Sequence, residues 1–124
     1  MPTPHIAVID DDDSVREAMK NLVNVLGYSV DVFASAEAFL TSDQINSTAC
    51  VITDVQMPGM SGVELQRRLL AGGHPVPIIF VTAYPNESIR DRVMRDGAIG
   101  YLSKPLQKQS LLDCLDRALS SGAA

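Results

Sequence analysis

The sequence lacks any apolar stretch long enough to cross a bilayer, although 46% of its 124 residues are hydrophobic. It also lacks a basic leader followed by an apolar segment of signal-peptide length, and it contains no internal repeat or low-complexity tract. The length is too short for two comfortable domains. We therefore predict a cytoplasmic protein with no membrane partner, folded as a single domain over residues 1–124.

Cysteine is scarce, which limits the metal and redox chemistry that the chain can perform. Cys50 and Cys114 are the only two, and 64 positions separate them. Neither a disulfide framework nor paired metal ligands have that spacing. We expect both side chains to be buried, reduced thiols.

Basic residues are outnumbered by acidic ones, 10 against 15, so the formal net charge is -5 and the isoelectric point is near 4.8. A surface of that sign repels the phosphates of nucleic acids. However, four of the acidic residues are consecutive, from Asp10 to Asp13, and 11 acidic residues remain without them. The excess is a local property, and it gives little ground for excluding a DNA-binding partner domain.

Five short apolar runs alternate with segments of helical periodicity, a pattern typical of β-α-β units. Several runs show no polar alternation, as in Ile78-Ile79-Phe80-Val81, which indicates strands covered by helices on both faces. The sequence therefore predicts a doubly wound α/β fold: the strands of five βα units form one parallel sheet, and their helices cover both of its faces. The runs span residues 6–9, 29–33, 49–52, 78–81 and 99–102.

Capping patterns predict where the helices begin and end. Ser14 and Glu17 have the spacing of a capping box, so we expect Ser14 to start the first helix, and Gly27 follows its last apolar residue. The last helix is expected to fray from Ser120 onward. The same reasoning predicts N-caps of the second, third and fourth helices at Ser35, Ser61 and Asn86.

Polar side chains follow four of the five runs. Asp10 and Asp11 come after the first run, Asp54 after the third, Thr82 after the fourth and Lys104 after the fifth. In an open parallel sheet, ligands bind beyond the carboxyl ends of the strands. We therefore expect these five side chains to converge on one edge of the sheet.

Several carboxylates in one pocket require a compensating cation. Oxygen ligands without a nearby cysteine or histidine favour Mg²⁺, and a carboxylate beside this ion can attack a phosphoryl group to form an acyl phosphate. We predict Asp54 as the nucleophile and Asp10 and Asp11 as metal ligands. Thr82 would donate a hydrogen bond, and Lys104 would pair with a phosphoryl oxygen.

Taken together, these motifs resemble the receiver domains of two-component response regulators. The matching segments are Ile9-Asp10-Asp11, the stretch from Val51 to Gly62, Val81-Thr82-Ala83 and Lys104-Pro105, in the right order along essentially the whole chain. The resemblance implies a flavodoxin-like receiver fold with strand order 2-1-3-4-5. It also implies Mg²⁺-dependent phosphorylation of Asp54 by a sensor histidine kinase.

The resemblance assigns roles position by position. It implies that the Gln56 backbone carbonyl is the third protein ligand of the metal, and that Thr82 and Tyr101 are the switch hydroxyl and the switch aromatic. It implies that Lys104 pairs with the phosphoryl group and precedes a cis peptide bond to Pro105. Such a domain is a phosphorylation-dependent switch rather than an enzyme, limited to self-catalysed phosphoryl transfer and slow autodephosphorylation.

Residues 35–40 and 60–65 look closest to FixJ-type receivers, which carry a C-terminal helix-turn-helix domain. The resemblance therefore implies control of transcription and a phosphorylation-dependent homodimer through the fourth helix and fifth strand. No effector domain is expected within residues 1–124, so the chain is either an excised receiver or a stand-alone one. Two features depart from the family pattern: the bulky pair Tyr84-Pro85, and the extra carboxylates of Asp12 and Asp13, which we expect to stabilise a helix N-terminus.

Two other functions share the same architecture. A metal-dependent phosphatase would also use Asp54 as a nucleophile, but it needs a lid or substrate domain that 124 residues do not provide. A flavin-binding protein would need a hydroxyl- and glycine-rich phosphate loop after the first strand, and the sequence has none there. Both rank behind the phosphorylation switch.

Overall fold

The computed structural model of the chain describes residues 4–122. Its five strands are all parallel and lie in the order β2-β1-β3-β4-β5, which confirms the predicted topology. Each predicted apolar run lies in or overlaps one strand. The strands are β1 (His5–Ile9), β2 (Ser29–Phe33), β3 (Thr48–Asp54), β4 (Ile78–Thr82) and β5 (Gly100–Ser103).

A helix follows every strand, and together the helices cover both faces of the sheet. They are α1 (Asp13–Val25), α2 (Ala36–Leu40), α3 (Gly62–Ala71), α4 (Glu87–Arg95) and α5 (Lys108–Gly122). None of the helices within the described residues is long and apolar enough to cross a membrane.

Two apolar layers sandwich the sheet, because successive side chains of a strand point to opposite faces. Phe39 of α2, Leu65 of α3 and Val93 of α4 pack on one face in what we call the α2–α4 layer. Val23 of α1 and Leu115 of α5 pack on the other face in the α1–α5 layer. Burial on both faces explains why β4 is buried along its whole length.

Most of the predicted caps are confirmed. The side-chain oxygens of Ser35, Ser61 and Asn86 each accept a hydrogen bond from a backbone N–H in the first turn of the helix that follows. Gly27, with φ +100°, lies just after the C-cap of α1. A left-handed φ of this kind favours glycine, which has no Cβ to clash with the backbone.

Two expectations about helix ends are wrong. The N-cap of α1 is Asp12, not Ser14: the Asp12 carboxylate accepts from the backbone N–H groups of Ser14 and Val15 at 2.8 and 3.1 Å. Aspartate caps as well as serine, and Asp12 comes first along the chain. Helix α5 also continues through Ser120 to Gly122, since serine costs a helix only a fraction of a kcal/mol. The last two residues of the predicted frayed tail lie outside the described residues.

Candidate functional site

The carboxyl edge of the sheet gathers the side chains that follow β1, β3, β4 and β5. These strands are neighbours in the sheet, so the residues at their ends are neighbours too. Asp10, Asp11 and Asp54 each offer a carboxylate oxygen, and these oxygens lie within 4.8 Å of one another. Asp10 is fully buried, Asp54 is 8% exposed and Asp11 is exposed. The predicted convergence of these three carboxylates is confirmed.

Lys104 lies between two of these carboxylates. Its Nζ donates to Asp54 Oδ2 at 2.7 Å and to Asp10 Oδ2 at 3.0 Å. Burial of Lys104 opposes its charged form, but the hydrogen bonds to Asp54 and Asp10, together with their negative charges, outweigh that effect and raise the pKa of the Lys104 ammonium. The lysine therefore remains a fixed positive charge in the pocket.

The backbone around Lys104 holds the side chain in this position. Its N–H donates to the carbonyl of Thr82 at 2.8 Å, which ties the end of β5 to the end of β4. The Lys104–Pro105 peptide bond is cis, as the resemblance implies.

Asp54 ends β3 and begins the loop to α3. Its Oδ1 accepts from the backbone N–H of Gln56 at 3.1 Å, whereas its Oδ2 faces Lys104. The first residue of α3, Gly62, lies directly against this segment: a Cβ on Gly62 would be 2.2 Å from the Asp54 carbonyl oxygen. No residue with a side chain fits there without moving the backbone that carries Asp54.

Asp12 and Asp13 belong to helix α1 rather than to the carboxylate cluster. Asp12 is the N-cap, and its backbone N–H donates to Asp10 Oδ1 at 2.9 Å. Asp13 pairs with Arg16, whose Nη1 donates at 2.8 Å to the carbonyl of Asp10. This role of Arg16 is not among the sequence predictions, although the spacing of three positions between Asp13 and Arg16 is that of an ion pair on one helix face.

Thr82 and Tyr101 lie on the side of the edge that faces α4. Thr82 Oγ1 accepts from the backbone N–H of Tyr84 at 3.0 Å. The half-buried Tyr101 accepts through its hydroxyl from the backbone N–H of Asn86 at 3.1 Å. Tyr84 is 77% exposed, so the bulk of this unusual residue lies in solvent and does not fill the pocket.

Glu37 is a second residue with a role at the site that is not among the sequence predictions. From α2, its Oε2 accepts from the backbone N–H of Met60 at 3.2 Å, and it also lies against Gly59, whose φ is +75°. Glu37 therefore holds the far end of the loop that begins at Asp54. No sequence signal indicates this contact, because the two partners are 23 positions apart and belong to different elements.

Comparison with known proteins agrees with this geometry. The family model described as the response regulator receiver domain matches residues 6–116. The chain belongs to this family. It is a receiver domain of two-component response regulators, a signalling module, and the cluster of Asp10, Asp11 and Asp54 fits the phospho-acceptor site of such a domain. An aspartate triad of this kind is typical of the magnesium site of receivers.

Among curated proteins, relatives are transcriptional and response regulators. The response regulator protein TodT of Pseudomonas putida is 37% identical over 114 residues, which are 92% of this chain and 50% of that protein. The transcriptional regulatory protein FixJ of Bradyrhizobium diazoefficiens is 36% identical over 115 residues, 93% of this chain and 56% of that protein. The chain thus spans about half the length of these relatives.

Solved structures of receivers have the same fold. The response regulator StyR superposes with a TM-score of 0.90 at 40% identity, over 98% of this chain and 62% of that one. The crystal structure of FixJ-N superposes with a TM-score of 0.85 at 29% identity, over 97% of this chain and 96% of that one.

Proposed function

We propose that Asp54 accepts a phosphoryl group from a phosphohistidine of a sensor histidine kinase. The observation that carries the proposal is the environment of its carboxylate at the carboxyl edge. Two other carboxylates have oxygens within 4.8 Å, and a lysine ammonium lies 2.7 Å from Asp54 Oδ2. Asp54 is buried enough to be held in place, yet 12% of its side chain is exposed, which leaves an approach for a phosphoryl donor.

The donor set at this edge fits Mg²⁺. It consists of carboxylate oxygens from Asp10, Asp11 and Asp54, with neither cysteine nor histidine among the grouped residues. These three side chains and the backbone carbonyl of Gln56 would hold the ion. When bound, Mg²⁺ supplies positive charge that offsets the negative charge on the phosphoryl oxygens.

The chain's own groups perform the transfer. A carboxylate oxygen of Asp54 attacks phosphorus, the new O–P bond forms as the P–N bond to the donor imidazole breaks, and the imidazole leaves with the bonding electron pair. Lys104 donates hydrogen bonds to Asp54 and Asp10 before the transfer. After the transfer it pairs with a phosphoryl oxygen. Hydrolysis of the acyl phosphate restores the carboxylate slowly, and no other substrate is turned over.

Thr82 and Tyr101 transmit the modification. The Thr82 hydroxyl accepts a hydrogen bond through its oxygen, so its proton is available to donate to the phosphoryl group. As Thr82 moves toward that group, the hydrogen bond from the Tyr84 backbone N–H to the Thr82 hydroxyl breaks. The loop that follows then shifts, and the hydrogen bond from the Asn86 backbone N–H to the Tyr101 hydroxyl breaks as well. The surface of α4 and β5 then changes its preference for partners, including a second copy of the receiver.

The output that we propose is transcription control in the cytoplasm. Residues 1–124 form one receiver domain, which acts on a helix-turn-helix DNA-binding domain tethered to it. The support is that FixJ of Bradyrhizobium diazoefficiens is named a transcriptional regulatory protein and that this chain matches 56% of its length.

The central experiment measures the phosphoryl group directly. The chain is incubated with acetyl phosphate and Mg²⁺, and its intact mass is recorded with and without hydroxylamine, which cleaves acyl phosphates. We expect one added phosphoryl group that depends on Mg²⁺, is removed by hydroxylamine and is absent in Asp54→Asn.

Asp13→Asn is the matched control for this experiment. It removes a carboxylate from the same edge of the sheet, but one that pairs with Arg16 instead of joining the cluster. We expect it to be phosphorylated like the unmodified chain. Equal phosphorylation of Asp54→Asn would overturn the proposal, and so would the absence of any added phosphoryl group from the unmodified chain with both acetyl phosphate and a phosphorylated kinase.

A further inference from the structure

Arg16 holds a backbone group of the phospho-acceptor site. Its Nη1 donates at 2.8 Å to the carbonyl oxygen of Asp10, which belongs to the peptide group between Asp10 and Asp11. Its Nη2 donates to the carboxylate of Asp13. Only 19% of the Arg16 side chain is exposed, against 52% for Arg90 on α4. The guanidinium is therefore fixed against the pocket, whereas Arg90 lies largely in solvent.

The place of Arg16 in α1 does not favour a positive charge. It is the fourth residue of the helix, so it lies within the first turn. The start of a helix carries partial positive charge, which favours aspartate or glutamate there and disfavours arginine. Asp13 offsets part of this cost, but its own side chain is 91% exposed, and exposed ion pairs contribute little. The stability of α1 alone gives no reason for an arginine at this position.

The direction of the Asp11 side chain depends on the peptide group that Arg16 holds. Asp10 is fixed through its own carboxylate, which accepts from the backbone N–H of Asp12 at 2.9 Å and from Lys104 at 3.0 Å. Asp11 is exposed, and no residue of the described range 4–122 donates a hydrogen bond to its carboxylate. Because a peptide group is planar, fixing the Asp10 carbonyl also fixes the N–H and Cα of Asp11.

We infer that Arg16 is a positioning residue of the phospho-acceptor site: it fixes the peptide group between Asp10 and Asp11 and so directs the Asp11 carboxylate toward the cluster. The inference rests on the proposed function, in which Asp11 is a ligand of Mg²⁺. The positive charge of Arg16 has the opposite effect, since it repels Mg²⁺. Loss of the hydrogen bond should weaken Mg²⁺ binding, whereas loss of the charge alone should strengthen it.

Two substitutions separate these roles. Arg16→Lys keeps the positive charge but lacks the planar fork that meets two acceptors, and Arg16→Met removes both the charge and the donors. MgCl₂ is titrated into each ¹⁵N-labelled chain while the amide signals of Asp11 and Gln56 are followed by NMR. We expect about tenfold weaker binding for Arg16→Lys, the usual effect of losing a group that orients a metal ligand. Binding to Arg16→Met should also be weaker, but by less, because the repulsion is gone.

Lys20→Met is the matched control. It removes the same charge one turn further along α1, from a residue that forms no ion pair within the described part of the chain. Its Mg²⁺ affinity should stay within about twofold of the unmodified chain, since a charge that far from the cluster is largely screened. Asp13→Asn keeps an oxygen that accepts from Arg16 Nη2, so Arg16 should remain in place in that variant.

A second measurement needs neither metal nor phosphoryl group. In EDTA, ¹⁵N relaxation reports how firmly the backbone N–H of Asp11 is held. We expect its order parameter to fall from about 0.85, the value of rigid backbone, toward about 0.6 in both Arg16 variants and to remain unchanged in Lys20→Met. The spectra also show whether each variant keeps the fold.

Three results would each overturn the inference: equal Mg²⁺ affinity of Arg16→Lys and the unmodified chain, tighter binding by Arg16→Met, or an unchanged order parameter at Asp11. Absence of phosphorylation at Asp54 would overturn the proposed function alone, because both measurements are made without a phosphoryl donor.

Discussion

The α1–α5 layer and the carboxyl edge bury ionisable groups in opposite ways. In the layer, Cys50 is fully buried among apolar side chains, and that environment raises the pKa of its thiol to about 12. At the edge, Asp10 is equally buried, but the ammonium of Lys104 lies 3.0 Å from its carboxylate. Burial in the layer keeps the Cys50 thiol neutral, whereas at the edge the buried carboxyl group lies against a lysine ammonium that serves as its counter-charge.

This difference in counter-charge favours the edge as the place of the phosphoryl transfer that we propose. Three carboxylates lie together there and one lysine pairs with two of them, Asp10 and Asp54, so the pocket has more negative than positive charge of its own. A bound cation, or a change of charge at Asp54, therefore alters the repulsion among the carboxylates and their attraction to Lys104. The apolar layers cannot respond in this way, and they serve as the rigid support that keeps the edge in position.

The largest expected effect concerns the reactivity of Cys50. Burial first, and then the charge of Cys114, raise its pKa from 9.0 to about 12, so about 1000-fold less thiolate is present at about pH 8 than for an ordinary thiol. We expect almost no reaction of Cys50 with Ellman's reagent in the native chain. Full reaction should appear in guanidinium chloride, and rapid labelling of the native protein at Cys50 would contradict the assignment of this thiol to a rigid layer.

The same shift predicts how stability depends on pH. Because the folded-state pKa of Cys50 is the higher one, its contribution is complete below about pH 9 and is lost as pH rises toward 12. Urea unfolding of the chain and of Cys50→Ala, measured across that range, should show a steeper loss of unfolding free energy for the unmodified chain.

Two glycines test how rigid each region is. A Cβ on Gly100 would be 2.6 Å from the Sγ of Cys114 in the α1–α5 layer, whereas one on Gly62 would be 2.2 Å from the backbone carbonyl of Asp54 at the edge. Gly100→Ala should lower the unfolding free energy by about 2 kcal/mol, and Gly62→Ala by about 3 kcal/mol. Denaturant unfolding measures both.

A second substitution distinguishes these two effects. Cys114→Ala removes the Sγ atom that the new Cβ of Gly100→Ala would meet. The double variant should therefore lose at least about 1 kcal/mol less unfolding free energy than the two single variants lose in total. Cys114→Ala should not rescue Gly62→Ala, which meets backbone instead of a side chain. Rescue of Gly62→Ala would mean that the two regions are not mechanically separate.

Magnesium should stabilise the edge and leave the layers as they are. At ten times its dissociation constant, the ion should raise the unfolding free energy by about 1.4 kcal/mol through mass action. Asp11→Asn should lose most of this gain, since it removes one of the three clustered carboxylates. In metal-free buffer the same variant should be no less stable than the unmodified chain, because one repulsive charge is gone. Thermal melts in Mg²⁺ and in EDTA provide the measurement, with Asp13→Asn as the control.

The sequence predicts the fold and the members of the site because both depend on local patterns. Unbroken apolar runs such as residues 78–81 identify buried parallel strands, and the residues after such runs must share one edge. The arrangement within the edge does not follow from those patterns. Lys104 bridges Asp10 and Asp54, which lie 94 and 50 positions away from it along the chain. Glu37 holds Met60, which lies 23 positions away. Their geometry depends on how whole elements pack.

The start of α1 shows a different limit, since two local signals compete there. Ser14 has the capping-box spacing, but Asp12 precedes it and satisfies the same helix end, so a rule applied to one residue at a time selects the wrong one. The Asp12 backbone also donates to Asp10, which links the start of the helix to the pocket.

The smallest predicted effect resolves that competition. Asp12→Ala removes the acceptor of the Ser14 and Val15 N–H groups and should cost about 1 kcal/mol of unfolding free energy, whereas Ser14→Ala should cost less than about 0.5 kcal/mol. Urea unfolding of the two variants, at the same pH and in EDTA, measures the difference.

Asp12→Asn separates capping from charge. Asparagine caps a helix about as well as aspartate, so this variant should remain within about 0.5 kcal/mol of the unmodified chain if the hydrogen bonds at the cap account for the effect. A loss as large as that of Asp12→Ala would mean instead that the negative charge of Asp12 is what the N-terminus of α1 requires. Asp12 would then contribute through its field, as the carboxylates of the pocket do, and the boundary between the edge and the helix would have to include it.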